Sequence, residues 1–222
     1  MKIISLIPSA TEIICALGLE DNIYGVTHEC NYPITVKEKE IVLSTKIDFH
    51  KLNNIEIDKL INEDNKNSIY KLDREKIKEI QPDFIITQDL CGACSITPAE
   101  INEIISVMDK KPEIIIMSPE SITEINESII NLSSKLGVPE KGVSLVEKIN
   151  QEIDSILSQT KNIIDRPRIF CMDWMSPIFS AGHWIPEMVH IAGGQTIKIE
   201  KNTSTRVTFK ELLNFAPNFI FI

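Results

Sequence analysis

One uninterrupted stretch, Pro139 to Asp165, constrains this chain more than any other. Val143, Val146, Ile149, Ile153, Ile156 and Leu157 recur at steps of three and four, the period of a helix with one apolar face. Glu147, Lys148, Gln151, Glu152 and Asp154 fall between them and supply the solvated face. Pro139 suits a first helical turn, and Pro167 after Arg166 marks the end. Gly142 is the weak point, costing ~1 kcal/mol relative to alanine inside a helix. On both sides, short β-rich runs alternate with helical segments. The pattern predicts an N-terminal α/β lobe over 1–138, a connecting helix over 139–165 and a C-terminal α/β lobe over 166–222. A cleft between two such blocks is the place to look for function.

At 222 residues the chain is long enough for one large domain or two small ones, and 43% hydrophobic content excludes disorder. The net charge is 23 − 32 = −9, without a basic stripe, which argues against nucleic acid as a partner. Glu12 soon interrupts the apolar residues after Met1-Lys2, and no leader or bilayer-length apolar run follows. As it stands the sequence predicts a cytoplasmic monomer, or a periplasmic or cell-surface protein if a leader has been removed. Five cysteines, an odd number, suit a reducing compartment better than a disulfide framework.

In the first block, Ile3 to Ile7 reads as a buried strand ended by Pro8. Ser9-Ala-Thr-Glu12 then has the spacing of a capping box, opening a helix that stops at Gly18. The free amides of such a helix start would seat a polar or anionic ligand group. Ile23 to Thr27 is a second strand that delivers His28-Glu29-Cys30 onto its exit loop, the place where open α/β sheets bind ligands. Ile41 to Leu43 is a third strand, Asn54 to Glu63 a helix, Ser68 to Leu72 a short extended piece, and Asp73 caps a helix closed by Pro82. Phe84 to Thr87 is the clearest strand, emptying into Gln88-Asp89-Leu90-Cys91-Gly92-Ala93-Cys94. Pro112 to Met117 and Ser121 to Leu136 give a further strand and helix. Strands followed by helices predict a parallel sheet.

Cys91 and Cys94 allow three readings. They stand just before a helix, as a redox dithiol would. With Cys30 and His28 from a neighbouring strand end they could form a tetrahedral zinc or iron site. They could also be two small packed residues. In the second block, Arg168 to Met172 is a strand with Asp173-Trp174 on its exit loop. Ala181-Gly182-His183-Trp184 leads into a helix ended by Gly193-Gly194. Two tryptophans on loops point to a flat ligand or an interface. Thr196 to Ile199 reads as a strand, Thr208 to Phe215 as a helix, and Phe219 to Ile222 as a buried strand. With no helix left to cover that strand, the second lobe reads as truncated at its C-terminus.

The segments Ser5–Glu12, Gly25–Pro33, Thr87–Cys91, Ala181–Met188 and Ala192–Gly194 together resemble the cobalamin-binding branch of the helical-backbone (class III) periplasmic binding proteins. That superfamily serves ABC importers of cobalamin, iron siderophores and haem. The resemblance implies two Rossmann-like lobes with parallel sheets on one long rigid helix, and no enzymatic activity. It implies a corrinoid or other metal chelate contacted by Pro8, Ser9, His28, Glu29, Cys30, Asp89, Cys91, Asp173, Trp174, His183 and Trp184, with an ABC permease as partner. The competing expectation is a cytoplasmic metalloprotein or thiol-dependent enzyme using Cys30, Cys91 and Cys94.

Overall fold

A computed structural model of the protein describes residues 1–48, 51–63, 69–89, 96, 98–106, 108, 110–197 and 203–222. The chain forms two compact units, Met1–Leu52 with Lys59–Ser118, and Asn53–Asp58 with Pro119–Ile222. Both are built on sheets of mainly parallel strands with flanking helices. Among the described residues, no helix is long and apolar enough to cross a membrane.

The first unit holds a six-stranded sheet in the order β4-β3-β2-β1-β5-β6. Its strands are β1 (Ile3–Ser5), β2 (Ile23–Thr27), β3 (Glu40–Thr45), β4 (Tyr70–Leu72), β5 (Phe84–Thr87) and β6 (Glu113–Ile116). Five run parallel, but β4 lies antiparallel to β3, with Leu43 opposite Leu72, so the expectation of an all-parallel sheet is corrected at this edge. Hydrophobic periodicity sets which face of a strand is buried and carries no information on strand direction. Its helices are α1 (Pro8–Ala16), α3 (Arg74–Ile80), α4 (Pro98–Ser106) and the second half of α2 (Asn54–Glu63), whose first residues, through Asp58, group with the second unit. One side of the core joins Ile4, Leu6, Val42 and Ile85 of the sheet region to Ile77, Ile80, Ile101, Ile104 and Ile105.

The start of α1 differs from the expectation. Pro8 occupies the first helical turn, Ile7 is the N-cap in extended geometry, and no side chain caps the helix. Ser9 and Glu12 are exposed and form no capping box. Proline's fixed φ suits the first helical position, so the helix begins ahead of the point where Ser9 could act as its cap. The capping box is found instead at Thr208 and Glu211 in the second unit.

That unit opens with α5 (Ile122–Lys135) and α6 (Pro139–Thr160), which pack side by side across a turn at Gly137, where φ is +77°. The last crossing between the units falls at Ser118 and Pro119, and α5 groups with the long helix. The helix ends at Thr160, five residues short of Asp165, where the Thr160 hydroxyl donates to the Ile191 carbonyl at 2.7 Å. The sheet that follows has β7 (Arg168–Trp174) at its heart, flanked by β8 (Phe179–Ser180), β9 (Gln195–Thr196) and β11 (Phe219–Phe221), with β10 (Thr205–Arg206) outside β8. β9 and β11 pair parallel to β7, whereas β8 and β10 are antiparallel additions. The helices α7 (Ile185–Ile191) and α8 (Phe209–Phe215) complete it. Phe170 is fully buried against Val207 and Leu212. The strand expected over Thr196–Ile199 shortens to Gln195–Thr196, and its later part, residues 198–199, lies outside the described residues. β11, expected to be buried, has all three residues exposed.

Candidate functional site

Strand order locates the first group of side chains. From β1 the sheet grows one way through β2 and β3, and the other way through β5 and β6. Such a reversal opens a crevice at the carboxyl ends of the strands, the usual ligand position in an open parallel sheet. After β1, β2 and β5, three adjacent strands, the chain carries Pro8 and Ser9 in the first turn of α1, His28 to Cys30 on the loop after β2, and Asp89 after β5. Pro8, Ser9, Glu29 and Asp89 are exposed there. Asp89 is held through its backbone N–H, which donates to Ser118 Oγ at 2.8 Å.

Three neighbours on the β2 loop part company. The Cys30 N–H donates to the Thr27 carbonyl at 3.1 Å, closing a turn that sends its side chain inward. Cys30 is buried, with Sγ 3.1 Å from Thr11 Oγ1 and 3.4 Å from Thr27 Oγ1. Thr11 also donates to Ser5 Oγ at 2.9 Å, and Ser5 to the Ile7 carbonyl at 3.0 Å. These hydroxyls satisfy one another within the sheet end, as buried polar groups must. His28 turns the other way. It is half-buried, with Nδ1 3.2 Å from the Leu43 carbonyl and Nε2 3.2 Å from Glu29 Oε1. The Tyr70 ring flanks it at 6.4 Å between centroids. Tyr70 was missed by sequence reasoning, and its only signal was an aromatic in a short extended piece.

Cys91 and Cys94, expected as ligands or as a redox pair, lie outside the described residues. Among the described residues there is no group of three or more His, Cys, Asp or Glu side chains arranged to hold a metal ion.

The second unit assembles its own group at the end of β7. Asp173 and Trp174 belong to that strand rather than to its exit loop. Asp173 is exposed and accepts a hydrogen bond from Ser204 Oγ. Trp174 is half-buried and its Nε1 donates to the Ser176 carbonyl at 3.0 Å. Gly182 lies against the backbone of Thr203 and Ser204 so closely that a Cβ there would come within 2.2 Å of the Thr203 carbonyl carbon. The chain then passes through His183 at φ +51°, a left-handed geometry uncommon outside glycine, and reaches Trp184, the N-cap of α7. The two rings sit 5.8 Å apart at 40°. Both are half-buried, and His183 Nδ1 is enclosed without a hydrogen-bond partner among the described residues. A strained residue with an unmatched polar atom is characteristic of a functional loop. Ser204, which ties this loop region to Asp173, went unnoticed in the sequence because a Thr-Ser-Thr run reads as ordinary loop.

Residues 3–222 match the family model described as "Periplasmic binding protein". A curated relative from Bacillus subtilis (strain 168), an uncharacterized ABC transporter substrate-binding lipoprotein, YvrC, is 23% identical over 99% of this chain. The chain spans 62% of that relative's length. Among solved structures, the periplasmic vitamin B12 binding protein BtuF of Vibrio cholerae superposes with a TM-score of 0.70 at 24% identity. The periplasmic heme-binding protein RhuT from Roseiflexus sp. RS-1, in apo form, gives 0.73 at 19% identity. Each comparison covers 99% of this chain and 74% of the other.

Proposed function

The chain belongs to the periplasmic binding protein family, and we propose that it is a small-molecule binding protein of the ABC-importer type, a receptor rather than an enzyme. Its ligand is a corrinoid or another metal chelate of comparable size, such as haem or an iron siderophore. The observation that carries this reading is the gathering of able side chains at strand ends: Pro8, Ser9, His28, Glu29 and Asp89 in one unit, and Asp173, Trp174, His183 and Trp184 beside β7 in the other. Imidazoles suit the axial position of a chelated metal, and indoles suit the face of a flat macrocycle. The vitamin B12 and heme ligands of the structural neighbours support a chelate of this kind. The B. subtilis relative, described as an ABC transporter substrate-binding lipoprotein, supports an ABC permease as partner and a position outside the cytoplasmic membrane.

The test is a visible-absorption titration of purified protein with cobalamin, haemin and a ferric siderophore, with elemental analysis of protein taken from its native host. Saturable, one-to-one binding of one chelate is expected. Colourless, zinc-bearing protein that ignores all three would replace this reading with the metalloprotein alternative at Cys30, Cys91, Cys94 and His28.

A further inference from the structure

Three hydroxyls and one thiol at the ends of β1 and β2 form a continuous hydrogen-bond chain whose direction follows from its termini. The Ile7 carbonyl can only accept, and it takes the Ser5 hydroxyl proton at 3.0 Å. Ser5 Oγ, with its proton given up, accepts from the Thr11 hydroxyl at 2.9 Å. The other acceptor within reach of that hydroxyl, the Ile7 carbonyl at 3.3 Å, lies the same way. A hydroxyl has one proton, so at the 3.1 Å contact between Thr11 Oγ1 and Cys30 Sγ the thiol is the donor. Sγ in turn accepts from Thr27 at 3.4 Å, and Thr27 Oγ1 accepts the Glu29 backbone N–H at 3.1 Å. Ser5, Thr11, Cys30 and Thr27 thus each give one proton and receive one. All four are buried, at 0%, 0%, 6% and 4% exposure, so bulk water does not stand in for a missing link.

Building on the function proposed above, we infer that Cys30 is a positioning residue. Its S–H ties the loop after β2 to α1, and so fixes His28 and Glu29 relative to Pro8 and Ser9 on the first turn of that helix. The sulfur does this as a protonated thiol. A thiolate has no proton to give, and Thr11 would have to abandon Ser5 to face it. Two backbone bonds hold the same loop elsewhere: the His28 N–H on the Leu43 carbonyl at 2.9 Å, and the Cys30 N–H on the Thr27 carbonyl at 3.1 Å. Those bonds fix the loop to β3 and to its own strand, and the thiol adds the link to the helix. A rim held in place beforehand needs no ordering when a ligand arrives, and avoided ordering strengthens binding.

The experiment compares Cys30→Ser, Cys30→Ala and Thr11→Val with the wild type, using cobalamin and haemin as probes. Serine keeps a donor of the same polarity, alanine removes it, and valine removes its acceptor while leaving the cysteine in place. Cys30→Ser should keep the wild-type affinity. Cys30→Ala and Thr11→Val should each bind the probe about three- to tenfold more weakly, the worth of one hydrogen bond. Peptide-resolved hydrogen exchange should show the amides of Glu29 and Cys30 exchanging faster in those two variants, with the amides of β5 unchanged. Circular dichroism establishes that the variants are folded, and Cys30→Ala carries the test if Thr11→Val is not. The crossed result, in which Cys30→Ser loses the probe and Thr11→Val keeps it, makes the sulfur itself the working group and overturns the positioning role. Exchange or affinity that stays at the wild-type value in both Cys30→Ala and Thr11→Val overturns it too, while leaving the receptor reading intact. Failure of the wild type to bind either probe overturns both.

Discussion

Burial rather than motif context sets the chemistry of two of the thiols. Cys15, on α1, is raised to about 11, first by burial and then by the Glu20 carboxylate. Cys171, inside β7, is raised by burial and by Asp173. Only the thiolate attacks an alkylating reagent, so raising the value lowers reactivity at any pH below it. At pH 8 the thiolate fraction of Cys15 should be on the order of 100-fold below that of an ordinary exposed cysteine. Peptide-resolved iodoacetamide labelling of native protein should show Cys15 modified slowly, with a rate still climbing above pH 10. A rate that levels off below pH 9 would refute the shift. The sequence placed both residues outside any cluster, which needed only their positions on a helix and within a strand. It could not separate His28 and Glu29 from Cys30, because adjacent residues in a turn face different ways. That the turn aims Cys30 at Thr11 and Thr27 depends on a contact between α1 and the end of β2, nineteen residues apart for the Thr11 pair.

Elements were legible wherever one periodic face had to be buried. Helices α3, α5 and α8 fall where spacing and caps put them, each with a side-chain cap at Asp73, Ser121 or Thr208. Strand direction and helix partners were not legible, since both are decided by segments distant in sequence. Gly142 shows the cost of reading one element alone. Helix propensity marks it as a flaw that alanine would mend by ~1 kcal/mol. In the folded protein a Cβ at 142 would sit 1.9 Å from Ser133 Oγ and 2.5 Å from Ser133 Cβ, and Ser133 is fully buried on α5. Glycine is what lets α5 and α6 approach at that level. Gly142→Ala should therefore destabilise by about 1–3 kcal/mol, the usual cost of overpacking, with the sign opposite to propensity. Thermal unfolding measures it. Adding Ser133→Gly should recover part of the loss, because the two sites are in contact and their effects are not additive. An unchanged or raised melting temperature in Gly142→Ala would mean that α5 and α6 shift apart without penalty.

At the scale of the molecule the two α/β units were legible, while β11 was read as a buried strand and is exposed. Four apolar residues in a row, Phe219 to Ile222, read as core because periodicity cannot reveal whether a covering layer exists. β11 pairs with β7 along one edge, and its residues are 57%, 48% and 61% exposed, followed by Ile222 at 85%. Phe221 borders an open apolar groove of about 400 Å³ shared with Ile169, Cys171, Ile185 and Met188. An uncovered apolar edge strand is a template for pairing with another chain. Against it stands a net charge of −9, which keeps copies apart at low ionic strength. Salt removes that opposition, since the screening length shrinks to about 10 Å at 0.1 M. The 222-residue chain should thus be monomeric when dilute in low salt and associate as concentration and salt rise. Phe221→Lys places a charge in the groove and on the edge at once, and should hold the protein monomeric under the same conditions. Sedimentation velocity across a salt and concentration series decides it. If the variant and the wild type associate equally, the contact lies elsewhere, and if neither does, the repulsion outweighs the apolar strip.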